Sequence, residues 1–141
     1  MDAETARLMF AGARVARLAT VGARGKPGLV PVTFAVEGAA EGDRIVTAVD
    51  HKPKRTGDLR RLRDIRDNPE VALLADHYED DWTRLWWVRA DGRAAVVADG
   101  PDRAAALDAL ARKYEQYRER RPAGPVIVVR VTRWSGWRYA G

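Results

Sequence analysis

A cluster of basic residues stands where a short apolar run ends and a helical pattern begins. Lys52, Lys54 and Arg55 surround Pro53 and are followed directly by the hydroxyl of Thr56. A helix start carries unsatisfied backbone N–H groups and the positive end of the helix dipole. Amide donors, a hydroxyl and several cations together are the groups that bind a phosphate. A solvated basic face is the alternative, but cations oppose the dipole at this end, so we predict a phosphate site.

The basic run continues along the predicted helix, where acidic residues alternate with it. Arg60 and Asp64 are spaced four apart, a pairing that contributes a few tenths of a kcal/mol at most. The later part of the run therefore predicts an exposed helix face. The chain has a net charge of +5 and a pI near 10.0, which favours an anionic partner. Binding of nucleic acid would favour cations without compensating acids, so we do not expect a nucleic-acid partner.

Five tryptophans are many for 141 residues. Trp86 and Trp87 are adjacent and fall in a predicted strand, so their side chains must face opposite sides of a sheet. One of the two is expected in the core, and the other faces solvent, a subunit interface or a ligand. An indole also stacks well on a planar ring, which is a second use for an uncovered tryptophan.

The sequence lacks residues that several kinds of functional site require. Cysteine is absent, and only His51 and His77 could supply imidazole, so we expect no metal site. Ser135 is the only serine and has no histidine near it in the sequence, which argues against a serine hydrolase. The Gly-rich segment 22–28 joins two strand patterns and predicts a hairpin turn. No apolar run is long enough for a membrane span and no signal pattern is visible, so we expect a cytoplasmic protein without a membrane partner.

The elements that must position these residues are short strands with few helices between them. Helical patterns cover 2–13, with Asp2 as the N-cap, 53–66, and a segment that follows a cap at Asp99 or Asp102 and runs to Tyr117. Strand patterns cover 15–21, 29–36, 45–49, 71–75, a hairpin of 83–90 and 93–98 that turns at Gly92, and 126–134 with a tail to 139. Pro31 favours a sheet edge or a bulge for the second of these strands. The pattern predicts one domain over 1–141: a mainly β (α+β) antiparallel barrel of six or seven strands with three helices.

The order of four short motifs carries a family resemblance. They are Arg-Leu-Ala-Thr-Val at 17–21, Pro-Val-Thr-Phe at 31–34, Lys-Pro-Lys-Arg at 52–55 and Asn-Pro-Glu-Val-Ala at 68–72. In this order and spacing, nearly the whole chain resembles the pyridoxamine 5'-phosphate oxidase-like split-barrel superfamily, and most of all its actinobacterial flavin/deazaflavin oxidoreductases. The resemblance implies a homodimer of split β-barrels with two cofactor sites at the subunit interface.

The resemblance also implies a role for individual positions. Phosphate-binding groups match Lys52, Lys54 and Arg55, with Thr56 beside them. Segments along the tricyclic ring match Val32, Thr33, Phe34, Thr47, Ala48 and Val49, largely through backbone groups. The last strand, with Trp137 and Arg138, reaches the site from the partner. The family's Lys-x-x-Asn-Leu pattern is replaced by Lys-Arg-Thr-Gly-Asp-Leu at 54–59, which leaves open which cation touches the phosphate.

These implications lead to a ranked set of functions. The first is an oxidoreductase that uses the deazaflavin F420 to transfer a hydride to a small organic acceptor, with Trp87 and His77 expected in the acceptor pocket and Trp137 as a further wall. The second keeps the fold and uses FMN as an oxidase or reductase. The third is a flavin- or deazaflavin-binding protein without turnover. No acid–base pair is required, because such a cofactor carries the chemistry.

Overall fold

The computed structural model describes residues 1–49 and 56–140, and of residues 56–59 it describes the backbone only. These residues form seven strands, four α-helices and a short 3-10 helix at Trp82–Arg84. The helices are α1 (Ala3–Gly12), α2 (Thr56–Asp67), α3 (Pro101–Lys113) and α4 (Glu115–Glu119). The strands are β1 (Ala16–Val21), β2 (Pro27–Val32), β3 (Ala35–Ala39), β4 (Gly42–Ala48), β5 (Glu70–His77), β6 (Trp86–Val97) and β7 (Val126–Arg138).

All seven strands belong to one antiparallel sheet with the order β2-β1-β5-β6-β7-β4-β3. The two strands at the ends of this order are consecutive in the chain, and only Thr33 and Phe34 connect them. Three Cα–Cα steps span at most about 11 Å, so the two edges come together at this point. The sheet is therefore a barrel that is split between β2 and β3, which confirms the predicted mainly β split-barrel fold. We call Thr33 and Phe34 the seam segment.

Helix α1 fills one side of the core, as its apolar spacing predicts. The Asp2 carboxylate accepts a hydrogen bond of 2.8 Å from the Thr5 N–H and caps the helix, also as predicted. Phe10 is fully buried, with its ring centroid 4.7 Å from that of Phe34 and 5.4 Å from that of Trp134. The helix thereby packs against the seam segment and the last strand together.

Helix α3 covers the opposite side of the sheet. Its apolar residues Ala106 and Leu110 pack with Tyr114 on buried residues of β3, β4 and the start of β7. This second cluster joins β3, the edge strand beside the seam, to a helix that is 60 residues away in sequence. The seam is thus supported from inside by α1 and from outside by α3.

The prediction of one strand over 29–36 is wrong. The strand ends at Val32 and a new one begins at Ala35. A β-branched threonine followed by a phenylalanine is typical of a strand interior. Here, however, the backbone of both residues bonds to hydroxyl groups from elsewhere in the fold, and the Phe34 ring turns into the core. Of the two positions expected for the strand that holds Pro31, a sheet edge or a bulge, the edge is confirmed, because β2 is at the end of the sheet.

The predicted hairpin with its turn at Gly92 is also wrong. Residues 86–97 form one continuous strand, and Gly92 lies inside it beside a register shift. A Cβ at Gly92 would lie 2.4 Å from the Arg130 carbonyl oxygen and 2.8 Å from Val129 Cγ1. The glycine therefore permits the close approach of β7 at a β-bulge, and does not mark a turn.

Three smaller corrections concern the helices and the last strand. Neither Asp99 nor Asp102 caps α3; Gly100, with a φ of 90°, is the cap, and Pro101 is the first helical residue. The helix breaks at Tyr114, so a fourth short helix replaces the end of the predicted third one. Strand β7 extends four residues beyond the predicted 134 and includes the predicted tail up to Arg138. The predicted start of α2 at 53 lies outside the described residues.

Candidate functional site

The proposed phosphate segment is flanked by the predicted elements. Strand β4 ends at Ala48, and α2 begins at Thr56. Lys52, Lys54 and Arg55 lie outside the described residues, and of Thr56 only the backbone is described. Their roles therefore stay predictions. The junction of a buried strand with the start of a twelve-residue helix is the arrangement that the sequence predicts for this anion site.

A small cavity of about 140 Å³ lies between α2 and the β1–β2 hairpin. Arg60, Arg61 and Asp64 line it from the helix, and the hydroxyl of the buried Thr20 faces them from β1. Arg60 and Asp64 form the predicted pair, with Arg60 Nε 3.7 Å from Asp64 Oδ2. The prediction of a simple exposed helix face is thus only partly right: Arg63 and Arg66 are exposed, and the two arginines nearer the helix start line the cavity.

The structure brings the two predicted ring-lining segments together. The Thr47 hydroxyl donates a hydrogen bond of 2.7 Å to the Thr33 carbonyl oxygen, which ties β4 to the seam segment. The side chains of Val32, Phe34, Ala48 and Val49 are buried in the core, and so is Thr47. A cofactor ring at this place would therefore meet backbone atoms and the half-buried Thr33 side chain, as the resemblance implies. Lys52 follows Val49 by only three residues in the sequence.

Two tyrosines and a lysine complete the seam, and the sequence analysis did not single them out. The Phe34 N–H donates to the Tyr114 hydroxyl at 3.2 Å, and the Thr33 hydroxyl lies 2.8 Å from that of Tyr117. Lys113 Nζ donates to the Ala13 carbonyl oxygen at 2.7 Å and lies 3.7 Å from the centroid of the Phe34 ring. The available signal was three polar residues, 113, 114 and 117, near the end of the predicted third helix, whose other inner positions are apolar.

Burial shifts the titration of two of these groups. It lowers the pKa of the Lys113 ammonium to about 8, and the nearby Arg14 guanidinium acts in the same direction. The hydrogen bond to Ala13 and the ring contact favour the charged form, but burial prevails. Burial also raises the pKa of the Tyr114 hydroxyl above its ordinary value, against the opposing hydrogen bond from Phe34. Both shifts are toward the neutral form, although a lysine with a pKa of about 8 still holds its proton at pH 7.

An uncovered apolar strip lies on the face of the sheet that points away from the core. Trp87 stands directly opposite Trp137 across β6 and β7, while Trp86 packs against the core. This confirms that the two adjacent tryptophans divide between the inside and the outside. The strip, which we call the outer strip, contains Ala19, Leu29, Ala72, Leu74, Trp87 and Trp137.

Two open grooves cross the outer strip and share Leu74, Asp76 and Arg89. The larger one, of about 470 Å³, is bordered by Trp87 and Tyr78. The charges are locally paired: Arg89 Nη2 lies 2.7 Å from Asp91 Oδ1, and this contact raises the pKa of the guanidinium. Arg17 Nη1 lies 3.7 Å from Asp76 Oδ1. The grooves thus offer an apolar floor with neutralised charges at the rim.

The other predicted pocket residues occupy different positions. His77 follows the groove residue Asp76, but successive strand residues point to opposite faces, and its ring contacts Glu79 and does not line the groove. Arg138 is exposed at the end of β7, opposite Trp86. The structure therefore brings Trp87 and Trp137 together and leaves His77 outside the groove.

Within residues 1–49 and 56–140, no cluster of three or more histidine, aspartate and glutamate side chains is arranged to hold a metal ion. None of the helices in that part of the chain is both long and apolar enough to cross a membrane.

Comparison with known protein families agrees with the geometry. The family model for pyridoxamine 5'-phosphate oxidase matches residues 2–138. This chain belongs to that family. No protein among the curated sequences matches it.

Solved structures show the same split-barrel fold at low sequence identity. A FAD-binding protein from Mesorhizobium loti superposes with a TM-score of 0.72 at 20% identity, over 96% of this chain and 94% of that one. The FAD-binding protein from Mycobacterium smegmatis gives 0.64 at 19% identity, over 99% and 97%. HutZ, the heme storage protein from Vibrio cholerae, gives 0.65 at 18% identity, over 97% and 94%. At these identities the likeness shows the fold alone.

Proposed function

We propose that this chain is an oxidoreductase that binds the deazaflavin F420 at the seam and passes a hydride to a small organic acceptor. One observation carries the proposal. The Thr47–Thr33 hydrogen bond joins the two segments expected along the ring, and β4, which holds Thr47, is followed in the sequence by the cation cluster and α2. Groups suited to a planar ring and groups suited to its phosphate therefore follow one another closely along the chain.

The residues fit such a cofactor in their chemistry. Lys52, Lys54, Arg55 and Thr56 would hold the phosphate, and Arg60 and Arg61 add positive charge one turn further along α2. Backbone groups of 32–34 and 47–49 would line the ring. The bound cofactor supplies the hydride. The protein's part is to orient the ring on a rigid seam and to exclude water from it by closing apolar surface over the site.

The outer strip suggests how two copies of the chain could associate. Leu29 is 70% exposed and Trp137 is 40% exposed, and both lie on the same sheet face as Trp87. A patch of this kind on a soluble protein marks an interaction surface. We therefore propose a homodimer in which the outer strips cover each other, so that Trp137 and Arg138 of one chain approach the cofactor of its partner. Trp87 and, more remotely, His77 remain candidates for the acceptor pocket.

A flavin is the second candidate, and a specific observation favours it. Two of the superposed proteins, from Mesorhizobium loti and Mycobacterium smegmatis, are FAD-binding proteins. FMN shares the tricyclic ring and the phosphate of the first candidate, so the same residues serve both. A third possibility, storage of the cofactor without turnover, differs only in the absence of an acceptor reaction.

Side-by-side titration of the purified protein separates these functions. F420, FMN and FAD are each added to the protein while fluorescence is recorded, and hemin is added as a fourth ligand. Tighter binding of F420 supports the leading proposal, whereas tighter binding of FMN or FAD replaces it with a flavoprotein. Oxidation of bound reduced F420 by a panel of small acceptors distinguishes an enzyme from a storage protein. Binding of none of the tricyclic cofactors would overturn the proposal.

A further inference from the structure

The seam segment lies outside the strand ladder, so its backbone polar groups need other partners. Three hydroxyl groups supply contacts there. Thr47 donates to the Thr33 carbonyl oxygen at 2.7 Å, Tyr114 accepts from the Phe34 N–H at 3.2 Å, and Tyr117 bonds the Thr33 hydroxyl at 2.8 Å. These partners come from positions 14, 80 and 84 residues away. The shape of the seam is therefore imposed by tertiary contacts.

The two tyrosines reach the seam from a break in the helical structure. Tyr114 ends α3 and precedes α4 in an extended conformation, with φ −119° and ψ 124°. Tyr117 follows three residues later, on the first turn of α4, and the two rings meet edge to face with centroids 5.7 Å apart and planes at 81°. Their hydroxyls contact adjacent residues of the seam, Phe34 and Thr33.

The two tyrosines bond different kinds of group. Tyr114 is buried, and its hydroxyl also donates to the Arg14 carbonyl oxygen at 2.8 Å, so it holds backbone to backbone across the core. Tyr117 is half-buried, and its hydroxyl bonds a side chain, that of Thr33. A threonine side chain has three staggered χ1 positions, and a hydrogen bond to a fixed partner selects one of them. Tyr117 therefore sets the direction of the one polar side chain on the seam.

We propose that Tyr117 is a positioning residue for the tricyclic ring, acting through the hydroxyl of Thr33. The inference rests on the proposed function, because Thr33 belongs to the segment expected along the ring. A hydroxyl has one donor and two acceptor sites, so after its bond to Tyr117 the Thr33 oxygen keeps two sites for a polar edge atom of the ring. With its rotamer selected, Thr33 offers these sites in one direction, and the ring is held in one orientation.

The test removes single hydroxyls. Tyr117→Phe and Thr33→Val are compared singly and together, and Thr33→Ser serves as the variant that keeps the hydroxyl. Tyr139→Phe is the matched control, since Tyr139 is exposed near the end of the chain and outside the seam contacts. Each variant is titrated with F420 and with FMN, the absorption spectrum of the bound cofactor is recorded, and the thermal unfolding midpoint is measured.

We expect Tyr117→Phe to weaken binding of the preferred cofactor by about 2- to 12-fold, the range of one neutral hydrogen bond. The absorption maximum of the bound cofactor should also shift, which a loss of stability alone would not cause. Because both residues act through one contact, the double variant should bind no more weakly than Thr33→Val alone. Thr33→Ser and Tyr139→Phe should bind as the unmodified chain does.

The other possible outcomes contradict either the positioning role of Tyr117 alone or the proposed function as well. If the unmodified chain binds a cofactor, but Tyr117→Phe binds it with the same affinity and spectrum, the positioning role is wrong while the proposed function stands. If the unmodified chain binds neither cofactor, both fail. If Tyr117→Phe does not fold, Thr33→Val decides: unchanged binding by that variant overturns the inference. Equal weakening by Tyr139→Phe also overturns it.

Discussion

Lys113 is held between a carbonyl oxygen and two aromatic rings at the outer side of the seam. Its ammonium contacts the Ala13 carbonyl oxygen and the face of the Phe34 ring, and it lies 5.3 Å from the centroid of the Tyr114 ring. Burial lowers its pKa from the ordinary 10.5 to about 8. In the unfolded chain the same group keeps its ordinary pKa, so this one residue couples folding to pH.

The sign of the coupling follows from which state holds the proton. Between pH 8 and about 10, the unfolded chain keeps the Lys113 proton while the folded chain loses it, so stability rises with pH. Above about pH 10 the raised pKa of Tyr114 acts in the opposite direction, because the unfolded chain then loses its tyrosine proton first. We expect urea unfolding to show a free energy of unfolding that increases from pH 7.5 to 9.5.

Substitution of Lys113 measures how much of the increase in the free energy of unfolding with pH comes from this residue. Lys113→Met keeps the aliphatic stem and removes the titrating group, so the rise with pH should be reduced. Lys26→Met, at an exposed position in the β1–β2 turn, should leave the rise unchanged. A slope that is the same in Lys113→Met and in the unmodified chain would contradict the role of Lys113.

The phosphate cations give a second prediction at this scale. Lys54→Ala should weaken cofactor binding by about 1.5–3 kcal/mol, the contribution of a hydrogen bond to a charged group. Fluorescence titration with the cofactor measures the effect. Lys26→Ala removes the same charge from an exposed position and should leave the dissociation constant unchanged. Equal affinity of the Lys54→Ala variant and the unmodified chain would show that another cation binds the phosphate.

Gly92 determines how closely β6 and β7 can approach each other. A Cβ at this position would be 2.4 Å from a backbone oxygen of β7, which cannot move away without breaking the ladder. Gly92→Ala should therefore lower the free energy of unfolding by about 1–3 kcal/mol, as overpacking does elsewhere. Denaturant unfolding measures this value.

A second glycine provides the matched control for Gly92→Ala. Gly38 lies in the edge strand β3, has no atom within 4 Å of an added Cβ and has no positive φ. Gly38→Ala should therefore leave stability unchanged or raise it slightly, because alanine restricts the unfolded chain. Equal losses in the two variants would mean that the close approach of β7 does not decide the effect at Gly92.

Gly92 also shows where sequence patterns succeed and where they fail in predicting helices, strands and turns. Local signals predicted α1 with its Asp2 cap, because apolar spacing and capping are properties of neighbouring residues. A glycine between two apolar runs is typical of a hairpin turn, and nothing nearby in sequence distinguishes that case from a bulge. The distinguishing contact is with Arg130, 38 residues further along the chain.

The candidate site likewise has one part that the sequence predicted and one part that it could not. The cation cluster at 52–56 is contiguous, so its residue types alone predicted an anion site. The seam depends on Tyr114 and Tyr117, which meet Thr33 and Phe34 only after some 80 intervening residues have folded. Residues that line a site through backbone groups also leave little trace in their own side chains. The family resemblance supplied those positions, and spacing could not.

At the scale of the whole molecule, the outer strip predicts self-association. Leu29→Asp places a carboxylate at the β2 end of the outer strip and should convert a dimer to a monomer, as measured by light scattering after size exclusion. Leu8→Asp is the control, because Leu8 is 60% exposed on α1 and does not line the grooves. If the proposed sites lie between two chains, Leu29→Asp should also weaken cofactor binding, whereas Leu8→Asp should not. A dimer that persists in Leu29→Asp would contradict this interface.

Strand β7 is the last strand to be synthesised, yet it lies in the sheet between β6 and β4. This order has a consequence during synthesis. Strands β4 and β6 have been made by the time Val97 leaves the ribosome, yet both lack a partner on one side until 126–138 emerges. Unpaired strand edges recruit other chains. Translation pauses within α3 or α4 should therefore be the moment at which nascent chains of this protein need a chaperone.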